Sequence, residues 1–309
     1  MDLKQLRALV TIAETGNVTK AAELLNIVQP AVSRQLKLLE EDVGTPLFDR
    51  ESHGMKLNEA GITLVEYARR ILHEVDKAKA EIRPSQNSVS GIVTVGLLPS
   101  TCDLLSSALI SAIKRDYPEI RVRISTGYAG HLHDWLSNGE IDAALLYDTK
   151  PSPVIQIQPL LEERLWVIGL PDSGLKKKKL SIGDLVDKPF ILPSQPHGLR
   201  SLVDHACKLL KIDLNVTAET NSLNVQKSLV LGGNGVTILP SIAVADELAR
   251  QELVGSPLQD EVLTRKIVLA TPTTRRITPA ARCVTTELTK CMKDKVSTGS
   301  WPGAKWIGE

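Results

Sequence analysis

Leu64, Ala68, Ile71, Val75, Ala78 and Ile82 recur at intervals of 4, 3, 4, 3 and 4 residues. This is the a/d seam of a long amphipathic helix, with Arg69, Arg70, Glu74, Lys77, Lys79 and Glu81 on its other faces. Such a seam must be covered, either by its own domain or by a partner helix. Pro84 and the polar run Ser85-Gln86-Asn87-Ser88 end the pattern and read as a linker. The helix divides two differently patterned regions. A chain of 309 residues is also too long for one comfortable core, so a multidomain α+β protein is expected.

The region before the seam is helical. Leu3, Leu6, Leu9, Val10 and Ala13 form one buried stripe, stopped by Gly16-Asn17. Ala21, Ala22, Leu24 and Leu25 predict a short second helix. A third opens at Gln29-Pro30, where proline suits the first turn, and buries Val32, Leu36 and Leu39. Two short helices joined across Asn26-Ile27-Val28 make a helix-turn-helix. Gly44 to Leu57 then predicts a β-hairpin wing, and Asn58 can cap the long helix.

After the linker, short apolar strands alternate with amphipathic helices. Strands are expected at Ile92–Leu97, Ile120–Ser125, Ala143–Tyr147, Val154–Gln158, Leu165–Leu170, Phe190–Leu192, Val216–Glu219, Val236–Leu239 and Ile267–Ala270. Helices are expected at Leu104–Lys114, His131–Ser137, Leu199–Leu210, Leu223–Leu231 and Ala280–Lys295. Two α/β lobes with a ligand cleft between them fit this order. The expected boundaries are residues 1–58 for the winged helix-turn-helix and 59–90 for the linker helix. Residues 91–297 form the two-lobed domain, with lobe I at about 91–161 and 268–297 and lobe II at about 162–267. Residues 298–309, rich in Gly and Pro, are expected to be a loose tail.

In such clefts ligands sit beyond strand ends, near helix N-termini. Ser100 and Thr101 are placed to seat a carboxylate or to cap a helix. Ala129 and Gly130 offer backbone N–H groups at the next strand end. Arg200 can clamp a carboxylate or bridge the lobes, and His197 lies in the same turn.

Composition removes other classes. A net charge of +1 excludes holding nucleic acid by bulk charge, and 3% aromatics argue against a base-stacking platform. No stretch approaches the roughly 20 apolar residues of a membrane span, and the start lacks a basic-then-apolar leader. Cys102, Cys207, Cys283 and Cys291 form no CxxC pair, which suits a reduced, cytoplasmic protein. His205 and Lys208 beside Cys207 are expected to lower its pKa. The run Lys176–Lys179 reads as a solvated loop. Gly232-Gly233-Asn234-Gly235 has the wrong spacing for a nucleotide fingerprint, and no GxSxG, HExxH or P-loop occurs. No cofactor or metal is expected.

The order Thr19-Lys20-Ala21-Ala22-Glu23-Leu24-Leu25, Gln29-Pro30-Ala31-Val32-Ser33-Arg34-Gln35-Leu36, Gly44-Thr45-Pro46-Leu47-Phe48-Asp49-Arg50 and Leu57-Asn58-Glu59-Ala60-Gly61 closely resembles the N-terminal domain of LysR-type transcriptional regulators. The resemblance implies a two-lobed effector domain like the type 2 periplasmic binding proteins. It implies homodimers or homotetramers on double-stranded promoter DNA, a small-molecule effector, and RNA polymerase as a candidate further partner. By that resemblance Gln29, Pro30, Ser33, Arg34 and Lys37 face DNA. Gln29 suits adenine, Arg34 guanine or backbone, Ser33 a base edge or phosphate, and Lys37 a phosphate. Pro30 is chiefly structural, its ring able to touch a thymine methyl. Arg50 and Lys56 bracket the wing, where minor-groove or phosphate contact is expected. His53 stands where the family often has arginine. Ser100 lies where the family commonly touches effector, and Ala129 where it often has a hydroxyl. The alternative is a two-lobed solute-binding protein or enzyme that does not bind DNA.

Overall fold

The computed structural model describes residues 1–51, 54–82, 88–147, 152–175 and 180–308, without the side chains of residues 50, 51, 77, 80 and 81. His53, the linker residues 84–87, Lys176–Lys179 and the Arg50 side chain therefore lie outside the described residues. The chain divides into two compact units: Met1–Gln86 with Asn138–Glu140, and Asn87–Ser137 with Ile141–Glu309.

The first unit opens with α1 (Leu3–Thr15), α2 (Val18–Leu25) and α3 (Gln29–Val43). Each begins and ends where its end groups find partners. Asp2 caps α1, accepting from the N–H groups of Lys4 at 2.7 Å and Gln5 at 2.9 Å. Gln5 returns a bond to the Asp2 N–H at 2.8 Å, completing a capping box. Asn17 caps α2, and Asn26 ends it in the left-handed region at φ 54°. Pro30 stands in the first turn of α3, and Gly44 ends it at φ 76°. β1 (Phe48–Glu51) and β2 (Gly54–Leu57) pair antiparallel, Asp49 opposite Lys56.

α4 (Glu59–Ile82) starts at Asn58, whose Oδ1 accepts from the Gly61 N–H at 2.9 Å. Gly61 is required here: a Cβ would stand 2.0 Å from the Leu47 carbonyl oxygen. The seam of α4 is divided. Ala68 is fully buried and Leu64 half-buried in the core built by α1, α2 and α3, beside Val65 and Leu72. That end therefore packs within the chain rather than against a partner. Ile71, Ala78 and Ile82 remain exposed, Ile82 at 79%, and Val75 is half-buried. The division follows from helix geometry. At 3.6 residues per turn, Val65, Ala68 and Leu72 share the face towards α1, while Ile71, Ala78 and Ile82 lie to one side of it.

The second unit holds two cores. In the first, β3 (Gly91–Leu97) pairs parallel with β4 (Ile120–Thr126) and β5 (Ala143–Tyr147). α5 (Pro99–Asp116), α6 (Ala129–Asn138) and α10 (Pro279–Ser297) supply apolar faces to this core. The second core gathers β7 (Pro189–Leu192), α7 (Gly198–Leu210), α8 (Leu223–Leu231) and β9 (Thr237–Pro240). β8 (Asn215–Glu219) pairs parallel with β7.

Two long strands join the cores. β6 (Ile155–Gly169) runs unbroken where the sequence suggested two strands, because its residues belong first to one core and then to the other. It pairs antiparallel with β11 (Thr264–Pro272), which carries Arg265 near one end and sets Ile267–Ala270 in the first core. β10 (Val254–Pro257) and β9 extend the sheet on the second lobe's half of β6. α9 (Ala245–Ala249) follows β9 after one turn of 3₁₀ helix.

The C-terminal segment corrects the expectation of a loose tail. β12 (Ala304–Trp306) pairs with β6 at Leu161–Glu163, and Trp301 is 1% exposed within the first core. An indole that large cannot be left in water without losing its burial energy, and here its N–H also finds a carboxylate. Replacing Trp301 with Ala opens a cavity and orphans that carboxylate oxygen. Urea unfolding followed by circular dichroism is expected to show a loss of about 3–5 kcal/mol, and a loss below about 1 kcal/mol would show that the segment is dispensable.

Candidate functional site

On the first unit, α3 presents its N-terminal turn to solvent. Gln29, Pro30, Arg34 and Lys37 are exposed and Ser33 is half-buried. Gln29 Nε2 donates to Ser33 Oγ at 3.1 Å, so the two side chains orient each other. Lys37 shares its charge with Glu41 at 3.7 Å, one turn along. Val28 at the N-cap supplies no side-chain acceptor, and the first turn carries no acid. Pro30 has no N–H and the Ala31 and Val32 N–H groups bond the Val28 carbonyl, so the turn offers outward its side chains and the positive end of the helix dipole. Arg50 sits on β1 opposite Met55, and Lys56 on β2.

In the second unit a small cavity of about 40 Å³ opens between the two cores. Ser100 and His197 line it, as do Tyr128, Tyr147, Gln226 and Arg265. Ser100 follows Pro99 in the first turn of α5, so it is not the cap, and its Oγ accepts from Arg265 Nη2 at 3.2 Å. Arg265 is 3% exposed, and its Nε donates to Glu163 Oε1 at 2.6 Å. Glu163, 1% exposed, stands directly across the strand pair from Arg265. Trp301 Nε1 donates to the other Glu163 oxygen at 2.8 Å. The guanidinium also lies 4.7 Å from the centre of the Tyr147 ring.

His197 caps α7, its Nδ1 accepting from the Leu199 N–H at 3.2 Å. That bond places the proton of the neutral ring on Nε2. Burial, and then the charge of Arg265, lower its pKa to about 4. Tyr128 packs edge-on to it at 4.6 Å and donates its hydroxyl to the Asn221 carbonyl.

Other expected cleft residues stand elsewhere. Thr101 is fully buried, its hydroxyl donating to the Leu98 carbonyl at 3.0 Å, and so it has no free group for a ligand. Ala129 and Gly130 begin α6 and do not line the void, whereas their neighbour Tyr128 does. Arg200 neither lines the void nor bridges the lobes. It pairs with Asp204 at 2.8 Å and Glu219 at 2.5 Å, both on its own lobe, because these acids flank it on α7 and β8. Cys207 is likewise the reverse of expectation: burial, with Asp204 and Asp213 nearby, raises its thiol pKa. Glu163, Arg265 and Gln226 do not stand out in the sequence, since each lies in an ordinary strand or helix pattern. A single Arg in the strand run at 264–272 and the pair Glu162-Glu163 in the run at 155–169 are the available signals.

Comparison with known proteins agrees with both halves. Residues 3–62 match the bacterial regulatory helix-turn-helix protein, lysR family, and residues 86–292 match the LysR substrate binding domain. The chain is 28% identical to the HTH-type transcriptional regulator BbuR of Bordetella bronchiseptica, covering 98% of this chain and 94% of that one. It is 30% identical to the nitrogen assimilation regulatory protein nac of Klebsiella aerogenes, covering 79% of each. Full-length CbnR complexed with its target DNA shares the fold, with a TM-score of 0.70 at 20% identity over 94% of this chain and 100% of that one.

The neutral imidazole of His197 has a measurable consequence. Relative to the unfolded chain, its contribution to stability is complete above about pH 6.5 and is lost as pH falls towards about 4, because only the unfolded state takes up the proton in that window. An NMR titration should place its midpoint near 4, whereas a midpoint near 6.5 would contradict the buried geometry. With a helix-turn-helix matched at one end and a ligand-binding domain matched over most of the rest, the chain belongs to the LysR family of DNA-binding transcriptional regulators.

Proposed function

We propose that α3 reads promoter DNA with Gln29, Ser33 and Arg34, that Lys37, Arg50 and Lys56 hold phosphates, and that Pro30 sets the helix start. The exposed N-terminal turn of α3 carries this reading, since Gln29 and Arg34 stand in solvent beside the half-buried Ser33 and the positive end of the helix dipole faces the same way. The void between the cores takes a small organic anion, with the buried guanidinium of Arg265 as the supporting observation. Ser100 and His197 join it there. The chain acts by binding rather than by catalysis, in keeping with the regulators it resembles. It works in the cytoplasm, where its DNA target lies. No helix among the described residues is long and apolar enough to cross a membrane.

Residues 1–58 serve as the reading domain, α4 as the assembly helix and residues 91–297 as the sensor, to which the C-terminal segment is now added. The exposed stripe of Ile71, Ala78 and Ile82, with Tyr67 beside it, is covered by α4 of a second copy. Ile71→Asp would place an unpaired carboxylate in that contact. Light scattering should then report a smaller species, and a variant of native mass would show that the stripe is not the seam of assembly. For DNA reading, Arg34→Ala should cost roughly 1–3 kcal/mol of operator binding in a fluorescence-anisotropy titration, with the circular dichroism unchanged. Unaltered operator affinity in both Arg34→Ala and Ser33→Ala would remove α3 from the reading role.

A further inference from the structure

Arg265 is more constrained than an anion anchor needs to be. Its Nε is spent on Glu163, its Nη2 on Ser100, and its flat face lies over Tyr147. Nη1 has no protein acceptor among the described residues, and the side chain lines the void, so Nη1 is the donor left for a ligand. Glu163 is held in its turn by the Trp301 indole at 2.8 Å. The guanidinium is therefore aimed from three sides, and the last link of the chain comes from the C-terminal segment.

The second lobe presents the opposite chemistry. The Gln226 amide nitrogen donates to Thr237 Oγ1 and to the Ile191 carbonyl, which fixes the orientation of the amide. Its carbonyl oxygen has no protein donor among the described residues, and Gln226 also lines the void. An acceptor in that position repels a second carboxylate and demands a donor.

Charge narrows the class further. Among the described residues Arg265 is the one charged residue lining the void, and Glu163 already balances it. A ligand with one carboxylate uses the free Nη1 edge. A dicarboxylate would bury a second charge with no second cation to pair it among the described residues. Of the remaining lining, Thr220 and His197 are polar but uncharged, and Leu223, Leu239 and Pro240 are apolar.

We propose that the void selects a small monocarboxylate bearing a hydroxyl or N–H donor at its far end, with Arg265 as the anchor, Gln226 as the donor-sensing residue, and Glu163 and Trp301 as positioning residues. This rests on the reading of the void as the effector site.

The test is calorimetry on the full-length protein with 4-hydroxybenzoate, benzoate, 4-hydroxybenzamide and terephthalate, and with 4-hydroxybutyrate and its amide. Each hydroxy acid is expected to bind at least about tenfold tighter than its amide, and 4-hydroxybenzoate to outbind benzoate and terephthalate similarly. Arg265→Gln should erase the acid-over-amide preference. Gln226→Leu should erase the preference for the hydroxyl. Trp301→Phe keeps the aromatic packing but removes the N–H. It should lower the acid-over-amide ratio, which a general loss of stability would leave alone. If Arg265→Gln alone fails to fold, the double variant Glu163→Gln with Arg265→Gln removes both charges together and reads the same ratio.

Leu239→Trp fills the void without touching the ion pair, and should abolish binding of every probe. Undiminished binding in Leu239→Trp would overturn the site itself. Binding lost there but an acid-over-amide ratio unchanged on removing Arg265 would leave the site standing and overturn the anchor. Equal affinity of acid and amide in the wild-type protein, or no acid bound at about 10 mM, would overturn the ligand class.

Discussion

A carboxylate and a guanidinium can be buried together only when nearly all of their hydrogen-bonding capacity is met, because the cost of removing two charges from water is several kcal/mol per ion. Glu163 and Arg265 meet that condition where β6 and β11 lie side by side at the joint between the two lobes. Both Glu163 oxygens are engaged, one by Arg265 and one by Trp301. Much else is arranged around this pair. β12 pairs alongside Glu163, the chain after α10 folds back to bury Trp301, and Ser100 at the start of α5 receives the guanidinium. One ion pair thus lies in the joint of the domain and in the wall of its cavity at once.

This double position explains why an apolar pair would not serve equally well there. Hydrophobic residues of similar volume often match or exceed the stability of a buried ion pair. They would leave the cavity without a cationic donor. Burial chiefly keeps His197 neutral, and the same charge adds to this, since Arg265 lies near enough to oppose a second cation. The cavity therefore has one cation, already balanced, instead of two.

Much of the fold was legible because it rests on local chemistry. Gly16-Asn17, Pro30 and Asn58 announce helix ends by side-chain capping and backbone preference, and each does so in the structure. The alternation after Gly91 announces α/β. What depends on long-range pairing was not legible. Trp301 in a Gly- and Pro-rich tail looks loose until β6 offers it a strand edge and a carboxylate. Arg200 reads as a clamp until Asp204 and Glu219 are seen to hold it. Glu163 and Arg265 are 102 residues apart, so neither residue type nor spacing could join them. The heptad seam was half legible: its spacing describes a helix with an apolar stripe, but which end packs on α1 is decided by the core those residues meet. At α3 the residue order carried the family, and the exposure of Gln29, Arg34 and Lys37 follows directly from helical periodicity.

The claim on which the rest depends is that Glu163 and Arg265 act as a single unit. A double-mutant cycle on the stability of the full chain, using Glu163→Gln, Arg265→Gln and the pair together, measures this directly. Each single replacement leaves the other charge buried and unpaired, and is expected to cost about 3–5 kcal/mol, while the double variant costs far less than the sum of the two. Strictly additive losses would mean that the two side chains do not support each other, and the pair would no longer account for the joint or for the cavity wall.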